Sequence, residues 1–304
     1  MGKATKYLIV VGGATATGKT NLSIQLARHF GAEIISADSR QFYREMNIGT
    51  AKPSPEELEM APHHFINSLS VEQDYSVGDF EKDALALLRS LFEKSDVAIL
   101  VGGSGLFIQA LCEGMDEFPE IPSETVAEVA EFYKEKGLEG LQKELEKRDP
   151  DYFLKVDRNN PQRLMRAISV CRATGAPFSS FLQQGKRERP FQPIYILLEF
   201  DRELLYKRIN QRVDDMMEAG LLEEAKNLFP KKQLNALQTV GYQELFDFLD
   251  GKKSLPEAVE LIKRNTRRYA KRQMTWFRKY GQWQRFNPTD TAAIVDFINH
   301  EISR

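Results

Sequence analysis

Eight residues near the start of the chain, Gly13-Ala14-Thr15-Ala16-Thr17-Gly18-Lys19-Thr20, fit the pattern G-x4-G-K-[ST]. Glycines at those positions let the backbone curl around an anion with successive N–H groups pointing inward. A following helix N-terminus adds positive potential. Lys19 at this spacing bridges terminal phosphate oxygens, and the Thr20 hydroxyl suits Mg²⁺. The expected chemistry is binding of a di- or triphosphate; the plain alternative is a glycine turn. A carboxylate for the same site comes from the run Glu33 to Ala37, which ends at Asp38. Switch and motor NTPases place an acid at the end of a later apolar strand to hold Mg²⁺. Here Val97 to Val101 runs instead into Gly102-Gly103-Ser104-Gly105, with no carboxylate. The carboxyl ends of strands form the ligand crevice of an open α/β sheet, so Asp38 is expected to face the phosphate loop. There it suits a general base acting on an acceptor nucleophile. An N-cap or an outer-sphere Mg²⁺ partner is the simpler role. The pattern favours group transfer from a pyrophosphate-bearing donor over regulated NTP hydrolysis.

A second constellation lies near the C-terminus. Lys263, Arg264, Arg267, Arg268, Lys271, Arg272, Arg278, Lys279 and Arg285 are nine basic residues uninterrupted by Asp or Glu. The whole chain carries a net charge of −2, so removing those nine leaves −11 on the remainder. Local positive charge on an acidic protein is the footprint of a polyanion site. Tyr269, Trp276, Phe277, Tyr280 and Trp283 are interleaved with the basic residues. They either stack on splayed bases of single-stranded RNA or pack on the core. Two smaller arginine pairs, Arg163 with Arg166 and Arg208 with Arg212, are each spaced to share a helix face; either is a phosphate contact or a surface arginine.

The elements that position these residues follow from periodicity. Tyr7 to Val11, Glu33 to Ala37, Val97 to Val101 and Ile194 to Phe200 are short apolar runs that read as buried strands. Helices are expected over Lys19 to Phe30, from an N-cap at Ser76 to about Lys94, and from Asp201 to Gly220. A capping box at Ser254 to Glu257 starts another, which runs to about Tyr280. Strand–helix alternation implies a parallel sheet with right-handed crossovers. Between the third and fourth runs, Pro119 to Asp149 is rich in Glu and Lys with helical spacing, and Asn160-Pro161 opens a helix ended by Gly175 and Pro177. The expected organisation is a discontinuous catalytic core, 1–115 with 191–304, and a helical insertion, 116–190.

Hydrophobic residues at 42% and charged residues at 28% exclude a disordered or collagenous chain. Two cysteines, Cys112 and Cys171, exclude a disulfide framework and a Cys-based zinc module and fit a reducing compartment. The pair His63-His64 has no spaced partner and is not expected to bind metal. No signal-peptide core or membrane-length apolar run is present. A cytoplasmic protein with no membrane partner is expected, and nothing demands more than a monomer.

With these residues in view, the chain resembles the tRNA dimethylallyltransferase (tRNA isopentenyltransferase) family of bacterial type. The phosphate loop carries the resemblance together with Ser36-Ala37-Asp38-Ser39-Arg40-Gln41-Phe42-Tyr43 and the distinctive Met46-Asn47-Ile48-Gly49-Thr50-Ala51-Lys52-Pro53. Val101 to Leu106, Asn160 to Leu164, Val240-Gly241-Tyr242 and Lys271 to Arg278 follow in family order. The resemblance implies a P-loop NTPase-like parallel sheet flanked by helices, with a mostly helical insertion. It implies transfer of the dimethylallyl group of dimethylallyl diphosphate to N6 of adenosine-37, in the anticodon stem-loop of tRNAs reading codons that begin with U. By resemblance the loop Gly13 to Thr20 holds the donor's diphosphate rather than ATP, with Mg²⁺ at Thr20. Asp38 accepts the amine proton, and Lys19, Ser104 and Arg212 complete the catalytic set. Asp38, Ser39, Arg40 and Gln41 resemble a tRNA-contacting stretch. So do Gln162, Arg163, Leu164, Met165 and Arg166, and Lys271, Arg272, Gln273, Met274, Thr275, Trp276, Phe277 and Arg278. Ser104 stands where the family commonly has Thr, and the arginine that many bacterial members carry early in the insertion is absent from Glu124 to Val129. Three rivals remain at this stage: a small-molecule or nucleoside kinase, an adenylate isopentenyltransferase acting on a free nucleotide, and a non-enzymatic RNA-binding module.

Overall fold

A computed structural model describes residues 5–182, 185 and 187–304. In chain order the elements begin β1 (Tyr7–Gly13), α1 (Lys19–Phe30), β2 (Ile34–Ser36), α2 (Pro55–Met60), β3 (His63–His64), α3 (Val77–Lys94), β4 (Val97–Gly102) and α4 (Gly105–Glu113). Then come α5 (Ser123–Arg148), α6 (Pro150–Phe153), α7 (Pro161–Thr174), β5 (Gln192–Leu198), α8 (Arg202–Glu218) and α9 (Leu221–Leu228). The chain continues through α10 (Tyr242–Leu249), α11 (Leu255–Lys279), β6 (Gln284–Phe286) and α12 (Thr291–Ile302).

The strands form one sheet in the order β3-β2-β4-β1-β5-β6, and every pairing is parallel. β1 is central, with Tyr7 beside Val97 on one edge and Gln192 on the other. All seven of its residues are buried, the reason its sequence is an unbroken apolar run. One face packs on Phe80, Leu88, Phe107 and Phe277, the other on Leu22, Leu26, Ile294 and Ile298. The four expected strands are present. Two further ones, β3 and β6, are two and three residues long, too short to carry an alternating pattern. Ser76 and Ser254 form the capping boxes of α3 and α11, and Gly175 ends α7 in the left-handed conformation.

The chain divides into two compact units. One comprises the segments that end at Glu113 and resume at Glu188; the other is Gly114–Arg187. These boundaries stand against 115/116 and 190/191 read from the sequence. The second unit has its own core of Val129, Leu141, Leu145, Leu164 and Ile168. Its Asp149, 1% exposed, accepts hydrogen bonds from the N–H groups of Tyr152 and Ser179 and from the Ser179 hydroxyl, tying α6 to the segment after α7. α5 is interrupted at Gly137, whose φ is 63°. Cys112 and Cys171 are buried thiols on α4 and α7. No helix among the described residues is long and apolar enough to cross a membrane.

Candidate active site

The loop Gly13 to Thr20 lies between β1 and α1, at the carboxyl edge of the sheet. Gly18 caps α1 in the left-handed conformation with no side-chain cap, and the first turn has no acidic residue. The N–H groups of that helix start are therefore left for an external acceptor. Within the loop, Thr17 donates from Oγ1 to Ala14 O at 2.8 Å and Lys19 donates from Nζ to the same carbonyl at 2.7 Å. Burial, together with the nearby Arg212 guanidinium, lowers the Lys19 pKa to about 8, and the Asp38 carboxylate opposes that shift. Arg212, from α8, sits over the loop with Nη1 3.4 Å from Thr15 Oγ1 and Nη2 3.5 Å from Ala51 O. Burial pushes its pKa down as well, and Asp38 again opposes. Arg208, one turn earlier, donates from Nε to Ala16 O at 2.9 Å. Three cations thus converge on one backbone loop, two of them held short of their ordinary proton affinity by desolvation.

Asp38 follows β2 and lines the same cleft, a cavity of about 820 Å³ that also takes in Thr15, Lys19, Thr20, Arg212 and Gln273. Its Oδ1 accepts the Arg40 N–H at 3.0 Å. Ser104 accepts the Ser39 N–H at 3.3 Å and donates to Ser39 Oγ at 3.4 Å, tying the turn after β4 to the segment after β2. The Tyr269 phenol, hydrogen-bonded to Ser104, is pushed up to about 12 by burial and by Asp38.

α11 divides the expected RNA-contacting stretch between two faces. Lys271, Arg272, Thr275 and Arg278 are exposed, whereas Gln273 and Phe277 are buried and Met274 and Trp276 half-buried. Phe277 packs edge-on against Trp283 at 4.9 Å between ring centres, so for this ring core packing replaces base stacking. Gln273 points at the phosphate loop: its Oε1 accepts the Thr15 N–H at 2.9 Å and its Nε2 donates to Gly103 O at 3.0 Å. A Cβ at Gly103 would overlap the Gln273 amide nitrogen and push that side chain off the loop. Gln41 also turns inward, donating from Nε2 to Thr50 O and Ala51 O at 3.2 Å each. In the second unit, Gln162, Arg163 and Arg166 are exposed on α7, Met165 is half-buried and Leu164 is fully buried. The stretches expected from sequence to touch RNA thus alternate between exposed and buried side chains: Leu164 and Phe277 pack in the core, and Gln273 lines the cleft instead of the outer face of α11. The signal that finds it is spacing: Ala270, Gln273 and Phe277 fall on one helix face with Ile262.

Sequence reading also missed Glu224, on α9, and Lys52. Glu224 accepts three consecutive backbone N–H groups, from Asn47, Ile48 and Gly49, at 2.9, 2.8 and 2.9 Å. Nothing local in the sequence marks it.

A central parallel strand running into a glycine-rich loop, with helices on both sheet faces, places the chain in the P-loop NTPase-like class. A profile described as IPP transferase matches residues 41–280. The chain is 54% identical over 301 residues to the tRNA dimethylallyltransferase of Christiangramia forsetii, covering 98% of this chain and 99% of that one. It is 53% identical to that of Flavobacterium johnsoniae, with coverage of 96% and 97%. Among solved structures, the tRNA isopentenylpyrophosphate transferase of Bacillus halodurans is 36% identical, with a TM-score of 0.74 and coverage of 98% and 97%. A eukaryotic dimethylallyltransferase acting on tRNA gives a TM-score of 0.79 at 28% identity, over 95% of this chain and 75% of that one. The chain belongs to the IPP transferase family, and it is an enzyme, a prenyltransferase.

Proposed function

We propose that the enzyme transfers the dimethylallyl group of dimethylallyl diphosphate to N6 of adenosine-37 in tRNAs that read codons beginning with U. The names of the relatives support the donor group and the RNA acceptor. The observation that carries the chemistry is one cleft lined by both a desolvated cation cluster, Lys19 with Arg212, and a carboxylate, Asp38.

Lys19, Arg212 and the loop N–H groups bind the donor's diphosphate. As the allylic C–O bond breaks, positive charge spreads over the dimethylallyl carbons and negative charge collects on the leaving diphosphate. Preorganised cations stabilise that charge where it develops. The adenine N6 forms the new C–N bond, and Asp38 takes the N6 proton. The acceptor base must leave its stack to enter the cleft. Lys271, Arg272 and Arg278, exposed on α11, hold the RNA backbone; Gln162, Arg163 and Arg166, exposed on the insertion, add further contacts. Among the described residues no cluster of acidic, His or Cys side chains is built to hold a metal by itself. The Thr20 hydroxyl, which lines the cleft, is the side chain that would hold a Mg²⁺ there. When bound it would neutralise part of the diphosphate charge.

The test is incubation with dimethylallyl diphosphate, Mg²⁺ and an anticodon stem-loop bearing unmodified adenosine-37, with AMP and a stem-loop lacking that adenosine in parallel. Mass spectrometry is expected to show one dimethylallyl group added to the adenosine-37 RNA alone. Prenylation of AMP in its place would overturn the RNA assignment.

A further inference from the structure

Two sequence runs, Met46 to Pro53 and Val240-Gly241-Tyr242, have no part in the chemistry above, yet they meet at one point. Residues Ile48–Thr50 form a single 3-10 turn, and Glu224 of α9 sits at its N-terminal end. The Glu224 carboxylate takes the N–H groups of Asn47, Ile48 and Gly49, and a fourth hydrogen bond comes from the Tyr242 hydroxyl at 2.6 Å. Gly49 lies so close to the Tyr242 ring that a Cβ would come within 2.6 Å of it. Lys52, which follows the turn in sequence, reaches back and donates from Nζ to Tyr43 O, Asn47 Oδ1 and Asn67 Oδ1, at 2.5, 3.1 and 2.6 Å, tying the turn to the segments on either side of it.

What this turn holds is the site. Its last carbonyls, Thr50 O and Ala51 O, accept the Gln41 side chain, three residues past Asp38, and Ala51 O also accepts Arg212. Gly49, Thr50, Ala51 and Lys52 line the cleft wall.

We infer that Glu224 is a positioning residue for the donor: through the 47–51 turn it fixes the Ala51 carbonyl that aims Arg212 at the diphosphate and the two carbonyls that hold Gln41 beside Asp38. The inference rests on the reading of the cleft as the diphosphate site. Glu224 touches no substrate; it substitutes an internal carboxylate for the anion that a backbone nest of this kind would otherwise take from solution. Tyr242 and Gly49 serve the same device, Tyr242 by anchoring the carboxylate and Gly49 by leaving room for the ring.

The test compares Glu224→Ala and Glu224→Gln with Leu228→Ala, which opens a cavity under the same helix without touching the carboxylate. Inorganic pyrophosphate affinity by calorimetry, KM for dimethylallyl diphosphate, and stem-loop affinity are measured on each variant with its melting temperature. Glu224→Ala is expected to raise the donor KM and weaken pyrophosphate binding about tenfold, the scale of a misplaced positioning group. Glu224→Gln is expected to give a smaller effect, and stem-loop affinity is expected to stay within twofold of the parent. The inference is overturned if Leu228→Ala, at an equal loss in melting temperature, weakens pyrophosphate binding as much. It is likewise overturned if both Glu224 variants bind pyrophosphate as the parent does. Pyrophosphate binding without transfer by the parent protein overturns the proposed reaction and leaves the positioning role to be judged on pyrophosphate. No pyrophosphate binding by the parent overturns both.

Discussion

The cleft contains two backbone nests that differ in who supplies the anion. In the turn at 47–49 three N–H groups are already satisfied by Glu224, a residue of the protein itself. In the loop Gly13 to Thr20 the start of α1 is uncapped, and the charges beside it are cations whose proton affinity has been lowered by burial. The same peptide geometry is a joint in one place and, in the proposed function, a receptor in the other. What separates them is whether the fold closes the electrostatic account internally, and a desolvated lysine whose pKa stays lowered despite Asp38 is the sign that it does not.

The comparison breaks most readily at the receptor. Asp38→Ala is expected to lower kcat by about 10²–10⁴, the usual contribution of a general base, with stem-loop affinity unchanged in a filter-binding assay. Parallel loss of RNA binding would make Asp38 a contact residue instead. Lys19→Ala is expected to lower kcat/KM for the donor by about 10²–10³, the range for removing one charge-stabilising donor. The open nest also has a proton signature. Lys19, with a pKa of about 8, is charged below that pH and loses its proton as the pH rises through it. A bound diphosphate favours the charged form, so at pH near 8.5 (~0.5 above that pKa) binding of pyrophosphate takes up a proton. Calorimetry in two buffers of different ionisation enthalpy reads this uptake, and it should be absent in Lys19→Ala.

Finer effects separate the two faces of α11. Gln273→Leu is expected to raise the donor KM about tenfold, as loss of a loop-positioning bond should, and to spare RNA affinity. Lys271→Ala and Arg272→Ala are expected to do the reverse, each reducing the slope of log K against log salt by about 1. An unchanged slope would remove the helix from the RNA surface. The smallest effect belongs to Thr20→Ala, which should shift the Mg²⁺ concentration for half-maximal activity upward by about threefold, since a bound Mg²⁺ keeps several waters and phosphate oxygens and would lose only one protein ligand. A magnesium titration that superposes on the parent's would dissociate Thr20 from the ion.

Local chemistry was legible in the sequence and tertiary chemistry was not. The strand-to-helix context of Gly13 to Thr20, the acid ending β2 and the capping boxes at Ser76 and Ser254 are all written within a few neighbouring residues. β3 and β6 exist because longer strands template them, Ile34 and Ile35 pairing with His63 and His64, and Ile196 to Leu198 with Gln284 to Phe286. Their own composition has too few residues to announce a period. Glu224 bonds residues far away in sequence, and no spacing rule connects an acid on one helix to a turn that precedes it by so much chain. Gln273 was legible in principle, since its face of α11 also carries Ala270 and Phe277. Its neighbours Lys271 and Arg272 made the whole stretch look like surface.

The position of β1 carries a consequence for how the chain is made. Tyr7 is paired with Val97 on one side and with Gln192 on the other, so the strand that ends in the phosphate loop acquires its second neighbour only after the whole insertion has been translated. The insertion has a core of its own and meets its packing requirements first. Until β5 emerges, one edge of this fully buried strand lies bare on the nascent chain, a template for intermolecular pairing. Non-local parallel pairing is slow to form, so synthesis at lower temperature or with a chaperone in excess is expected to raise the yield of folded enzyme.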